Sequence, residues 1–109
     1  MGTVTSIVCA KFAVGDVIEH RLFGYRGVVV DVDPQFRATD DWYETMAKSR
    51  PPKDKPWYHV LVDAATHSTY VAERNLAAAE LALPVRHPLI EQLFDRFEGG
   101  RYVLKERVN

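Results

Sequence analysis

The residues able to do chemistry are few. Cys9 is the one thiol; His20, His59, His67 and His87 are the imidazoles; Asp31 and Asp33 form an acid pair; and Phe23-Gly24-Tyr25-Arg26-Gly27 is an aromatic and basic cluster. A weak nucleophile needs an adjacent base or a lowered pKa, and Cys9 has no readable base beside it. A structural zinc site takes four Cys or His ligands at short spacings. The histidines show no such spacing, and Cys9 has no second thiol to help it. His59 and His67, on the two arms of one hairpin, are placed to meet across strands, which supplies two ligands and no site. Asp31 and Asp33 share a strand face by their spacing; acid–base work needs a substrate cleft as well, so the pair reads as a charged strand end facing water. His20 lies on an apolar face, where a buried polar group finds a hydrogen-bond partner. Gly24-Tyr25-Arg26-Gly27 lacks the strand-to-helix context of a phosphate loop. With Arg21 beside it, this segment suits nucleic-acid stacking and phosphate pairing, a protein hot spot or a plain hairpin tip, and the sequence leaves the three open. No catalytic, cofactor-binding or metal site emerges, so the expectation is a protein that is not an enzyme and has no cofactor.

The elements that must position these residues are short strands. Alternation predicts strands over 17–22, 27–33, 57–63 and 68–72, with Ile18, His20 and Leu22 on one face of the first. The consecutive valines from Val28 suggest a strand covered on both sides. Pro34 ends it. A long segment follows, in which Asp40–Lys48 forms a short helix capped by Thr39 or Asp40 and stopped before Pro51-Pro52. Long loops in compact domains are often functional, and Trp42-Tyr43 is unusually aromatic for a connector. Residues 77–83 suit either a helix or a final short strand. Pro88 at a first helical position, an apolar stripe of Leu89, Ile90, Leu93, Phe94 and Phe97, and Gly99-Gly100 as a stop predict a helix over 88–98. The fold class is mainly β: a small SH3-like β-barrel with a long helix-bearing loop and a C-terminal helix. The chain divides into a flexible leader (1–10), the barrel domain (11–83) and a C-terminal helix and tail (84–109).

Size and charge limit the rest. A chain of 109 residues suits one domain. The net charge of -1 gives little support for binding nucleic acid by bulk charge. A lone cysteine requires no oxidising compartment. There is no apolar run of membrane-spanning length, and the start lacks the basic region of a signal peptide. Met1-Gly2 with Ser6 fits an acylation pattern formally, with no second anchor beside it. The expected location is cytoplasmic, without membrane contact.

Together, three segments carry a resemblance. They are Lys11–Pro34, with His20, Leu22, Gly24, Tyr25, Gly27 and Asp31; Pro56–Asp63, opening Pro-Trp-Tyr-His-Val; and Ser68–Leu76, with Tyr-Val-Ala-Glu. Over about Lys11 to Leu76 the chain resembles the heat-shock protein HspQ family, also called the YccV-like or hemimethylated-DNA-binding domain. The resemblance implies an SH3-like barrel, commonly a homotrimer, and two activities. One is promotion of the degradation of denatured proteins, including the replication initiator, with modulation of the Lon protease. The other is binding of hemimethylated DNA in the control of replication initiation. The family motif residues read as structural, so it assigns no binding residue. From the residues themselves, contact with a protein partner or DNA is expected at Arg21, Phe23, Tyr25, Arg26, Trp42 and Tyr43. Near-neutral charge favours the protein partner, because counterion release needs clustered bases. A trimer that gathered copies of Arg21, Arg26 and Arg37 would favour DNA. A third reading, an aromatic cage for modified tails or RNA, would use Trp42, Tyr43 and Trp57.

Overall fold

The computed structural model describes residues 9–106. The leader expected over 1–10 therefore lies outside the described residues except for Cys9 and Ala10, both exposed. Strands β1 (Val17–His20), β2 (Arg26–Asp33), β3 (Trp57–Val62), β4 (Ser68–Ala72) and β5 (Leu76–Ala78) form one antiparallel sheet in the order β4-β3-β2-β1-β5. Helix α1 (Asp40–Met46) lies in the long β2–β3 connection. The Thr39 hydroxyl accepts from the Trp42 backbone N–H at 3.0 Å, which caps α1 as the sequence suggested. A 3₁₀ turn (Glu73–Asn75) links β4 to β5.

The sheet is covered on both faces, which is why its central strands read as continuous apolar runs. Ile18, Val29, Tyr58, Val60, Val71 and Leu76 fill one face. Val17, Val28 and Leu61 point the other way, against Val85, Phe94 and Tyr102. A bulge between Val29 and Asp31 interrupts the β2–β3 ladder, so simple alternation fails after Val29.

Two expectations are corrected. The sheet does not close into a barrel. No ladder joins β4 to β5 among the described residues, although Val71 and Leu76 from these edge strands share one cluster. Ala72, at the end of β4, packs in a cluster with Ala47 and Tyr43 of the α1 region.

The helix expected over 88–98 shrinks to α2 (Ile90–Leu93), followed by a hairpin of β6 (Phe94–Glu98) and β7 (Arg101–Leu104). Gly99 and Gly100 have φ of 63° and 82°. Two successive positive φ values make the two-residue hairpin turn that matches strand twist, so the glycines reverse a strand rather than stop a helix. A bulge between Phe94 and Arg96 explains the misleading spacing. The inserted residue puts Phe94 and Phe97, three apart, on the same side as Tyr102, and that imitates a helical stripe. Tyr102 locks the hairpin to the chain before it: its hydroxyl accepts from the Val85 N–H at 2.8 Å and donates to the Val85 carbonyl at 3.2 Å.

Candidate functional site

The β1–β2 turn lies earlier than the glycine bracket suggested. Arg21, Leu22, Phe23 and Gly24 form its exposed tip, and the His20 N–H donates to the Tyr25 carbonyl at 2.8 Å. Tyr25 and Arg26 therefore stand at its base. Gly24, at φ 74°, makes the reversal.

His20 organises the tip. It is 5% exposed, and its Nδ1 accepts from the backbone N–H groups of Leu22 and Phe23, both at 3.1 Å. Its ring stacks on Phe23 at 4.6 Å and tilts against Tyr25 at 5.0 Å. Burial holds its pKa below the ordinary 6.5, and protonation of Nδ1 would break both bonds. Stability from this neutral imidazole is present above pH 6.5 and is lost as pH falls through the lowered folded value. Denaturant midpoints between about pH 7.5 and about pH 5 should fall with acid, and His20→Asn, which keeps an acceptor but cannot titrate, should flatten that slope. An unchanged slope would show that His20 does not contribute.

Tyr25 ties the tip to β4 through a 2.7 Å hydrogen bond between its hydroxyl and Thr69 Oγ1. Burial raises its pKa, partly offset by that bond. Arg26 turns away from the tip. Its Nη1 donates to Asp63 at 3.1 Å and its Nη2 to the Leu83 carbonyl, and Asp63 also accepts from the Arg86 N–H at 2.8 Å. Arg26 is thus a clamp between the sheet and residues 83–86. Arg26→Ala should cost about 2 kcal/mol in chemical denaturation; a change under about 0.5 kcal/mol would rule out the clamp.

On the α1 side, Tyr43 is 5% exposed and donates to the Pro51 carbonyl at 2.7 Å. Trp57, 1% exposed, donates through Nε1 to the Pro52 carbonyl at 3.0 Å. Trp42 is half-buried, 5.6 Å from the Tyr70 ring. The aromatics thus fill a small core, with Lys53 already over Tyr43 at 4.3 Å. With Tyr43 and Trp57 buried, the three do not form an open cage.

Between tip and α1 runs a groove of about 820 Å³. Leu22, Phe23 and Tyr25 form one wall, Trp42 and Met46 the other, and β4 lies along it. Phe23 is 77%, Met46 62% and Leu22 59% exposed. Lys48 and three histidines also line it, and among the described residues no carboxylate does. The fold therefore brings Phe23, Tyr25 and Trp42 together, leaves Arg21 on the exposed tip and takes Arg26 and Tyr43 out of reach. Sequence reasoning missed Met46, Lys48 and the free side of β4. A readable signal for the last was Ser-Thr-Tyr-Val-Ala, a strand with neither charge nor proline to blunt an edge.

The other expected sites resolve structurally. His59 pairs with Tyr70 across strands, not with His67. The Asp33 carboxylate is half-buried, accepting from Tyr70 at 2.6 Å with His59 Nε2 at 3.3 Å, so only Asp31 faces water. Burial and this carboxylate push the Tyr70 pKa up to about 12. Asp31, Asp33 and His59 offer ligand atoms within 4.8 Å of one another, with the Asp33 oxygen already engaged.

The sequence profile of a family described as "Hemimethylated DNA-binding protein YccV like" matches residues 10–101. The chain belongs to this YccV-like family. The match runs past the stretch that carried the resemblance and takes in α2, β6 and the start of β7. Both walls of the groove and its β4 edge thus lie within the YccV-like region.

Proposed function

We propose that this YccV-like chain is an HspQ-type quality-control factor. It binds unfolded polypeptide and promotes its degradation by an ATP-dependent protease of the Lon type, the replication initiator being among its substrates. It acts as a binding module, not an enzyme, in the cytoplasm, and as a homo-oligomer, with a trimer the expected state. The observation that supports this reading is the groove: apolar, open and, among the described residues, free of carboxylates, it suits unfolded chain better than a phosphate backbone. Exposed Leu22, Phe23 and Met46 are the kind of surface that a partner covers. Val71 and Leu76 in one core support the sheet as an opened variant of the SH3-like barrel. No helix among the described residues is long and apolar enough to cross a membrane.

The test is degradation of a chemically denatured protein by purified Lon, with and without this chain. Faster degradation is the expected result, and an unchanged rate would sink the reading. The family description favours a second reading, binding of hemimethylated DNA. Against it, Arg26, Arg50, Lys53, Arg86, Arg96 and Arg101 already face carboxylates, which lowers the charge free to displace counterions. Titration of hemimethylated, fully methylated and unmethylated duplexes at two salt concentrations decides it. A preference for the hemimethylated duplex that survives the higher salt would establish the DNA role.

A further inference from the structure

We infer that the edge of β4, unpaired among the described residues, is a strand-addition site for an extended polypeptide segment that is apolar on both faces and carries acid on its flank. This rests on the polypeptide-binding reading and specifies how binding occurs.

The hydrogen-bond phase of β4 carries the argument. The Val62 N–H donates to the His67 carbonyl, and the Glu73 N–H to the Pro56 carbonyl. In an antiparallel pair, hydrogen-bonded and non-hydrogen-bonded partners alternate. With Val60 opposite Thr69 and Tyr58 opposite Val71, Thr69 and Val71 turn their backbone groups towards β3. Ser68 and Tyr70 turn theirs outward, along the groove. Ala72, the next outward residue, is buried in a cluster with Ala47. The open stretch thus offers two N–H and two carbonyl groups, enough to fix the register of a short added strand.

The walls decide what that strand is. Thr69 meets the tip wall through Tyr25; Tyr70, on the opposite face, meets the α1 wall at Trp42. A strand added beside β4 continues both faces. Its alternate side chains meet Leu22 and Phe23 on one side and Trp42 and Met46 on the other. A half-buried surface strand, polar on alternate positions, would place polar groups against one of these walls without partners. A continuous apolar run satisfies both. Such runs belong to strands buried on both faces and reach solvent only when a protein unfolds. Lys48, with no carboxylate among the lining residues, favours an acidic residue beside the run.

The probe is a fluorescent peptide with a central run of Val, Ile and Phe flanked by Asp, titrated by anisotropy into the whole chain. Ser68→Pro is the sharpest variant. It removes an outward N–H, and proline is tolerated on an edge strand where that N–H faces solvent. It should weaken binding about thirtyfold, as should Phe23→Asp. N-methylation at alternate peptide positions should abolish binding in one phase and spare it in the other. Circular dichroism and denaturant midpoints check that each variant folds. Should Ser68→Pro fail to fold, the two N-methylated peptides decide the matter with the unmodified chain. Equal binding of both peptide phases overturns the inference. So does dissociation of an oligomer by Phe23→Asp without loss of peptide affinity, which would make the groove a self-interface. The proposed function fails separately: peptide binding lost in Ser68→Pro, with no stimulation of Lon by the unaltered chain, supports the strand-addition site while refuting the quality-control role.

Discussion

Gly27→Val should yield no cooperatively folded protein. Gly27 sits inside β2, opposite Ile18 on β1 and Val62 on β3. A Cβ there would stand 2.5 Å from Val60 Cγ1 and 2.6 Å from the Leu61 carbonyl oxygen. The first contact can be relieved by a rotamer; the second cannot, because that oxygen belongs to the backbone of the central ladder. β3 would have to move away from β2, and those two strands hold both faces of the core together. Overpacking alone costs about 1–3 kcal/mol. Displacing β3 adds lost pairing and burial to that, against a total stability of about 5–15 kcal/mol. Gly27→Ala should therefore cost about 3 kcal/mol or more. Gly24→Ala is the control: its Cβ meets nothing within 4 Å, and only the left-handed backbone is strained, at about 1–2 kcal/mol. Equal denaturant midpoints for the two alanine variants would refute this account of Gly27.

These glycines also mark how far the sequence could be read. Valines and alternation placed β1 to β4 to within a few residues. The capped helix in the long loop and the bonded state of His20 were legible too, because each depends on local chemistry. Three features were not. Bulges at Val29/Asp31 and Phe94/Arg96 change which residues share a face, and nothing in composition marks an inserted residue. Gly99-Gly100 serves equally as a helix stop or a hairpin turn, and only the packing of Phe94 on Tyr102 at 5.1 Å selects the hairpin. The groove depends on Phe23, Met46 and Ser68 becoming neighbours, and no local pattern encodes that. Of the six expected contact residues, Phe23, Tyr25 and Trp42 line the groove, Tyr25 through its bond to Thr69 and Trp42 through its contact with Tyr70. Arg26 and Tyr43 instead give their polar groups to the fold.

Trp57→Ala should have the second largest effect, and it would separate the groove's α1 wall from the sheet that supports it. The indole is 1% exposed and lies 4.9 Å from Phe36, 5.2 Å from Tyr70, 6.0 Å from Trp42 and 6.3 Å from Tyr43 by ring centroid. Removing a buried aromatic side chain costs about 3–5 kcal/mol in lost transfer energy and cavity. Here the loss falls where the long loop meets the sheet, and the Pro52 carbonyl also loses its donor. The aromatic cluster of Tyr43, Ala47, Trp57 and Ala72 is distinct from the core of Ile18, Val29 and Val60. Amide exchange should therefore accelerate most over residues 36–53 and least at Val29 and Val60. Trp57→Phe keeps a ring but not the donor, and should cost less, about 1–3 kcal/mol. The consequence for binding follows from the same geometry. With Trp42 and Met46 no longer held opposite Phe23, an added strand would find one wall where it needs two. Trp57→Ala should then lose peptide affinity under conditions where it is still folded, while keeping the tip and the β4 edge intact. A variant destabilised by less than about 1 kcal/mol, or one with protected loop amides and full peptide affinity, would show that the aromatic cluster does not hold the wall in place.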